Sequence, residues 1–139
     1  MIYHAADDLF WGGHFVAWDE LTQAGVRAVL CVASDVDICP NAYPMPFLRV
    51  PMSDACPLAE WQVRTPLAFL RLCKAEALRP VYVMCRAGLS RSAAFVAAGL
   101  VLWHGMSYDE AMDHIRSVRP DCFPHLLPWQ QVKTAMEST

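Results

Sequence analysis

The sequence predicts an α/β protein with a small, mostly parallel central sheet flanked by helices. Short apolar, β-branched runs alternate along the chain with segments of helical periodicity. The run at residues 81–84 also leads through a glycine-containing loop directly into a helical segment. The chain has 139 residues, which suits one compact domain spanning residues 1–139.

The individual elements follow from apolar patterning and from turn residues. Strands rich in β-branched and aromatic residues are expected at residues 9–11, 26–32, 47–51 and 81–84. Helices, most of them closed by glycine or an Arg-Pro pair, are expected at residues 17–24, 58–78, about 90–104, 108–118 and 127–136. Thr65 and Pro66 are typical of a helix start, which predicts a break or two helices within the second of these segments. Trp61, Phe69 and Leu72 recur at helical spacing, which favours a core position for them.

Composition and charge exclude several classes of protein. With 55% hydrophobic and 18% charged residues the chain is expected to fold rather than stay disordered. A net charge of −3 gives no general attraction to nucleic acid, for which a strongly basic face would be expected. The longest apolar run, residues 93–103, is too short to span a bilayer, so no stable membrane insertion is expected. Asp7 and Asp8 lie where a secretory signal would be basic, which favours a cytoplasmic location.

The six cysteines predict reduced thiols rather than a disulfide framework. They form no Cys-x-x-Cys pair and no Cys/His spacing typical of a metal site. We therefore expect no metal and no cofactor. Cys31 remains a candidate partner for Cys85 in a reversible oxidation.

The segment from Cys85 to Ser92 combines a cysteine and an arginine six positions apart on a strand-to-helix loop. Spacing alone is uninformative, because Cys73 and Arg79 have the same separation within strong helix formers. The later segment differs because a strand end, a glycine and a helix start allow successive N–H groups to surround one anion. The predicted phosphate-binding residues are Arg86, Ala87, Gly88, Leu89, Ser90 and Arg91.

These residue types suit phosphoryl transfer through a cysteine. The field of the helix N-terminus favours the thiolate form of Cys85, which is the nucleophilic form. Arg91 offers a planar two-pronged donor for two phosphate oxygens. Ser92 can donate a hydrogen bond to the cysteine sulfur as it leaves, whereas Ser90 is expected to be a helix-start hydroxyl.

A leaving-group oxygen needs a proton, and a loop carboxylic acid can supply it. Asp54 is the candidate because it follows a strand and lies 31 residues before Cys85. Asp35 and Asp37, in the loop after the second strand, are rivals, and Glu60 is a weaker one.

Taken together, these residues resemble the dual-specificity branch of the protein tyrosine phosphatase superfamily. Its signature Cys-x-Ala-Gly-x-Ser-Arg-Ser is matched from Cys85 to Ser92, and Trp11-Gly12 and Arg119-Pro120 extend the similarity. The resemblance implies a phosphocysteine on Cys85, a phosphate held by Arg91, and Asp54 as general acid and then base. Met84 stands where that family usually has histidine.

The resemblance implies a phosphorylated protein or peptide as substrate, with phosphotyrosine first and phosphoserine or phosphothreonine next. A phosphoinositide phosphatase is the first alternative. A pseudophosphatase that binds phosphorylated partners without turnover is the second, motivated by Met84. A rhodanese or arsenate reductase would also cradle an oxyanion on loop amides, but Asp54 and Ser92 argue against it.

Overall fold

A five-stranded sheet forms the centre of the protein, seen in a computed structural model that describes residues 1–137. The strands are β1 (Tyr3–Ala6), β2 (Leu9–Gly12), β3 (Ala28–Cys31), β4 (Phe47–Arg49) and β5 (Val81–Met84). Their order across the sheet is β1-β2-β5-β3-β4, and each neighbouring pair is parallel except β1 and β2. This confirms the predicted α/β class with a mostly parallel sheet.

Five helices and one short 3-10 turn complete the described residues. They are α1 (Trp18–Gln23), the turn Pro40–Ala42, α2 (Glu60–Ala75), α3 (Arg91–His104), α4 (Tyr108–Val118) and α5 (Leu126–Glu137). Helix α3 is central, because it packs against β2 and β5 and is surrounded by α2, α4 and α5. Its residues are apolar around most of the circumference, and residues 91–100 are all buried. The helix that starts at the predicted loop is therefore fixed on all sides.

Strand β1 was not predicted from the sequence. Its residues, Tyr3-His4-Ala5-Ala6, mix polar and small side chains and lack a β-branched residue. The strand nevertheless forms at the sheet edge, where it pairs antiparallel with β2 across a tight turn at Asp7 and Asp8. An edge strand needs only one covered face, and pairing with a buried neighbour compensates for weak propensity.

The predicted break near Pro66 is wrong, since α2 is one helix of 16 residues with that proline inside it. Proline lacks an N–H, so the carbonyl of Gln62 loses its helical hydrogen bond. A single buried stripe runs through both halves of the helix and includes Val63, Leu67 and Leu70. Burial of this stripe outweighs the loss of one hydrogen bond.

The expected core positions on α2 are also partly wrong. Trp61 is 53% exposed and Leu72 is 48% exposed, while Phe69 is half-buried. Trp61 and Leu72 lie on the face opposite Val63 and Leu70, so the helix carries two apolar stripes. The helical spacing therefore identified the exposed apolar stripe of α2 and not the buried one.

The carboxyl ends of the four parallel strands meet at one edge of the sheet. The segments that leave this edge contain Gly13, Asp35, Asp54 and Cys85. In open α/β sheets this is the edge where ligands bind. Within residues 1–137, no helix combines the length and the apolar character that a bilayer crossing requires.

Candidate active site

The loop at residues 85–90 joins the central strand β5 to the first turn of α3. Cys85 follows the last residue of β5, and its N–H donates to the carbonyl of Gly12 at 3.3 Å. Gly88 has φ +74°, and a β-carbon placed on it would lie 2.6 Å from the carbonyl carbon of Gly12. Both the backbone angle and the close approach of a second chain segment therefore require glycine at position 88.

The first half of the loop is held from outside by His14 and Trp11. The carbonyl of Arg86 accepts a hydrogen bond from the N–H of His14 at 3.3 Å, and His14 Nδ1 lies 2.9 Å from the same oxygen. The indole Nε1 of Trp11 donates to the carbonyl of Gly88 at 3.0 Å. These contacts turn two loop carbonyls away from the loop centre.

The second half is held by residues that follow α4. Arg119 Nη1 donates to the carbonyls of Ala87 and Gly88 at 3.1 and 3.2 Å. The N–H of Phe123 donates to the carbonyl of Leu89 at 2.8 Å, and Cys122 Sγ donates to the same oxygen at 3.2 Å. All four carbonyls from residue 86 to residue 89 are thus anchored outside the loop.

Outward carbonyls orient the loop N–H groups inward. In a planar trans peptide the N–H of one residue points opposite to the carbonyl of the preceding residue. The N–H of Gly88 shows the result, since it donates to Cys85 Sγ at 3.2 Å. Among residues 1–137, the N–H groups of Ala87, Leu89 and Ser90 meet no protein acceptor. They form a cup of free donors suited to an anion.

The sulfur of Cys85 lies at the base of this cup. Cys85 is 2% exposed, and its Sγ lies 3.3 Å from Ser92 Oγ, which is fully buried in the first turn of α3. The first N–H groups of α3 and the helix dipole add positive potential at this point. The Ser92 hydroxyl, which lies beside the sulfur, can stabilise a negative charge on that sulfur.

Arg91 is the first residue of α3, and its side chain is 5% exposed. Its Nη1 donates to Asp35 Oδ1 at 2.7 Å and to the carbonyl of Met52 at 2.9 Å. Its buried Nε has no partner among the described residues. One guanidinium nitrogen therefore serves the protein, while the edge that contains Nε remains available to a ligand.

Asp54 lies in the loop after β4, next to the segment that leads into α5. Its Oδ1 accepts from the N–H of Ala55 at 3.1 Å and lies 3.6 Å from Nε2 of His125. The N–H of His125 in turn donates to Ser90 Oγ at 3.3 Å, which ties this segment to the cup. The Asp54 side chain is 43% exposed, so its carboxyl group is in contact with solvent.

The rival carboxylates have other environments. The hydrogen bond from Arg91 lowers the pKa of Asp35 below its usual value, so this carboxyl stays ionised and is a poor proton donor. Glu60 pairs with Arg64 at 2.7 Å on the exposed first turn of α2. Asp37 is exposed and makes no ion pair within the described part of the chain.

The second segment with the same spacing, Cys73 to Arg79, has a different structure. Cys73 is buried within α2, where burial raises the pKa of its thiol to about 11. Arg79 lies beyond the helix and pairs with Asp8 at 3.0 Å. Nothing in this segment forms a cup.

Sequence reasoning missed the outer contacts of the loop and the partner of Arg91. Trp11 and Arg119 were noted only as parts of a resemblance, and His14 and Asp35 had no assigned contact to the loop. The donors come from β2, its following turn and the end of α4, which are distant in sequence. Only the topology brings them to one side of the loop.

The other sequence-based expectations concern thiols, metals and position 84. All six cysteines are free thiols. In residues 1–137 no three His, Cys, Asp or Glu side chains converge as metal ligands would. Met84 is fully buried, and within residues 1–137 its side chain makes no hydrogen bond to the loop, whose carbonyls are held by the outer contacts described above.

Fold and loop together define a class of protein: an α/β protein with a cysteine at the base of a strand-to-helix cup whose free N–H groups suit an oxyanion. Within that class, the chain belongs to the dual-specificity phosphatase family, because the model of the family's catalytic domain matches residues 13–137. The chain is accordingly a cysteine-based phosphatase. No curated protein sequence matches it significantly.

Solved structures share this fold. Human DUSP28 has a TM-score of 0.83 and 27% identity, with 99% of this chain and 93% of that chain covered. DUSP15 has a TM-score of 0.79 and 19% identity, with 97% of this chain and 86% of that chain covered. PTPMT1, solved in complex with PI(5)P, has a TM-score of 0.84 and 20% identity, covering 99% and 95%. The latter two likenesses concern the fold alone.

Proposed function

We propose that the protein hydrolyses phosphate monoesters of proteins, phosphotyrosine first, through a phosphocysteine on Cys85. The observation that carries the proposal is the set of four loop carbonyls anchored outward, which leaves inward N–H groups above the Cys85 sulfur. A phosphate dianion in this cup would meet backbone donors and the free edge of Arg91. Its phosphorus would then lie next to the sulfur.

In the first step the thiolate of Cys85 attacks phosphorus and the bond from phosphorus to the leaving oxygen breaks. Asp54, protonated, gives its proton to that oxygen. Arg91 and the loop N–H groups stabilise the charge on the equatorial oxygens in the transition state. The products are a phosphocysteine and a free alcohol or phenol.

In the second step water attacks phosphorus while Asp54, now ionised, accepts a proton from it. The phosphorus–sulfur bond breaks and Cys85 returns as a thiolate. Ser92 Oγ, 3.3 Å from the sulfur, donates a hydrogen bond to the departing thiolate. Inorganic phosphate leaves, and the protein is restored to its initial state.

The choice of phosphotyrosine rests on the burial of the nucleophile. Cys85 is 2% exposed, whereas the side chain of Arg86 in the same loop is 63% exposed, so a substrate phosphate has to extend past exposed side chains to meet the sulfur. A phosphotyrosine places its phosphate farther from the peptide backbone than a phosphoserine does.

We place the activity in the cytoplasm, because a cysteine nucleophile among six free thiols requires a reducing compartment.

Hydrolysis of matched phosphopeptides tests the proposal. Wild-type protein is expected to release phosphate from a phosphotyrosine peptide faster than from phosphoserine and phosphothreonine versions, and vanadate is expected to inhibit it. Cys85→Ser should abolish turnover, whereas Cys73→Ser, a matched control, should retain it. Full activity in Cys85→Ser would contradict the mechanism. Faster phosphate release from a phosphoinositide would indicate that the substrate is a phosphoinositide and not a phosphoprotein. Tight peptide binding without turnover would indicate a pseudophosphatase.

A further inference from the structure

Asp35 has a contact that the hydrolytic steps do not use. It follows β3 and its carboxylate faces both arginines of the phosphate-binding loop: Oδ1 accepts from Arg91 Nη1 at 2.7 Å, and Oδ2 lies 3.8 Å from Arg86 Nη1. The Arg91 side chain is 5% exposed, and that of Asp35 is 42% exposed. A buried guanidinium needs a compensating anion, and a short charge-assisted hydrogen bond provides one.

The hydrogen bonds of Arg91 show that Asp35 orients the guanidinium group without occupying the edge that would bind phosphate. Nη1 has two hydrogens, and both are used, one by Asp35 and one by the carbonyl of Met52. Within residues 1–137, the remaining guanidinium nitrogens donate to no protein group, and Nε is buried without a partner. The two parallel N–H groups that form a bidentate fork, on Nε and Nη2, are thus left for a ligand. A carboxylate that competed with phosphate would occupy that fork.

The loop that presents Asp35 is itself fixed. Arg49 donates from Nε to the carbonyl of Ala33 at 3.2 Å, and from Nη2 to the carbonyls of Ser34 and Val36 at 3.2 and 3.0 Å. Ser34 also donates to the carbonyl of Met52, from its N–H and its hydroxyl, both at 3.1 Å. Asp35 is therefore held between anchored neighbours, and Met52, the other partner of Arg91, belongs to the same network.

We propose that Asp35 is a positioning residue that holds Arg91 by Nη1 and so presents the Nε and Nη2 edge of the guanidinium to the bound phosphate. This inference rests on the proposed function of the cup as a phosphate site. Arg91 has a long, flexible side chain, and a fixed orientation lowers the entropy lost when phosphate binds. Without Asp35 only one neutral carbonyl would orient the guanidinium.

The low pKa of Asp35, caused by the hydrogen bond from Arg91, supports this role because the carboxylate stays ionised at the pH of phosphoryl transfer. It also distinguishes Asp35 from Asp54. An acid that protonates the leaving group matters more as that group becomes more basic, whereas a positioning residue affects all leaving groups alike. The two carboxylates can therefore be separated by experiment.

The test uses three variants: Asp35→Ala removes the contact, Asp35→Asn keeps an acceptor but removes its charge, and Asp37→Asn is a matched control in the same loop. Binding of inorganic sulfate, an unreactive dianion, is measured by calorimetry, and hydrolysis is measured with aryl phosphates of different leaving-group basicity. We expect Asp35→Ala to weaken sulfate binding and lower kcat/KM by about 10²-fold, as a misplaced group does. Asp35→Asn should lose about tenfold, and Asp37→Asn should match wild type.

The outcomes separate this inference from the proposed function. The Asp35 losses should be equal across leaving groups, whereas Asp54→Asn should lose more as the leaving group becomes more basic. Sulfate binding that is unchanged or tighter in both Asp35 variants would overturn the inference, even with wild-type hydrolysis intact. Sulfate binding that depends on Asp35 in a protein without hydrolysis would support the inference and contradict the proposed function. A wild-type protein that binds no sulfate would contradict both.

Discussion

In two segments of this chain a cysteine is followed six positions later by an arginine, and only one of them forms a site. Between Cys85 and Arg91 the backbone leaves a strand, turns at a glycine and enters a helix. Between Cys73 and Arg79 it runs through the end of α2 into a turn, and the arginine pairs with Asp8 on another part of the surface. The side-chain spacing is identical, but the N–H groups of Ala87, Leu89 and Ser90 meet no acceptor within residues 1–137, whereas the N–H groups of residues 76–78 bond back to carbonyls of α2.

The difference shows that the anion cup is made by backbone orientation and by its outer supports. Trp11, His14 and Arg119 hold carbonyls outward on the first segment. Helix α2 turns its own N–H groups toward its own carbonyls, so no such support could create a cup there. Burial within α2 raises the pKa of the Cys73 thiol to about 11, so this thiol is unsuited to act as a nucleophile.

The largest expected effect concerns the two arginines. Arg91→Lys keeps the charge but loses the planar fork, so kcat/KM on an aryl phosphate should fall by about 10³-fold. Arg79→Lys, the corresponding change in the other segment, should leave kcat/KM near the wild-type value. Steady-state kinetics on the two purified variants measures both. Equal losses of kcat/KM in the two variants would contradict the claim that only the segment from Cys85 to Arg91 forms the site.

The next effect concerns the glycine turn. Gly88→Ala should lower kcat/KM by about 10²-fold, because its β-carbon would collide with the backbone of Gly12 and displace the cup. Gly105→Ala is the matched control: Gly105 also has a positive φ, +69°, but no atom lies within 4 Å of its added β-carbon. That control should lose about 1 kcal/mol of unfolding free energy and keep its activity. Chemical denaturation and kinetics on both variants decide the matter.

The smallest effect concerns the hydroxyl beside the sulfur. Ser92→Ala should slow breakdown of the phosphocysteine by about tenfold, because one hydrogen bond to the departing thiolate is lost. Ser90→Ala is the control, since Ser90 Oγ accepts from the N–H of His125 rather than contacting the sulfur. Rapid-mixing kinetics should show a burst of released phenol in Ser92→Ala. A steady-state rate limited by the first step in that variant would contradict the role of Ser92.

Patterning within the sequence was enough for the parallel strands, the helix after the loop and the loop itself. Those features depend on local signals: β-branched runs, a glycine and a helix start within residues 81–104. Strand β1 was missed because its stability comes from pairing with β2, and the exposed Trp61 and Leu72 were misplaced because α2 has two apolar stripes. The outer supports and the pairing of Asp35 with Arg91 depend on contacts between distant segments, which spacing along one chain cannot encode.

The central claim is most directly tested by trapping the phosphoryl group. Asp54→Asn protein, mixed with an aryl phosphate that has a good leaving group and quenched in acid, should accumulate the intermediate. With such a leaving group the first step proceeds without a general acid, whereas the second step still needs a base. Peptide mapping by mass spectrometry is expected to find one phosphoryl group on Cys85 and none on Cys73. Substrate hydrolysis with no phosphoryl group on Cys85, or with one on another residue, would contradict the account.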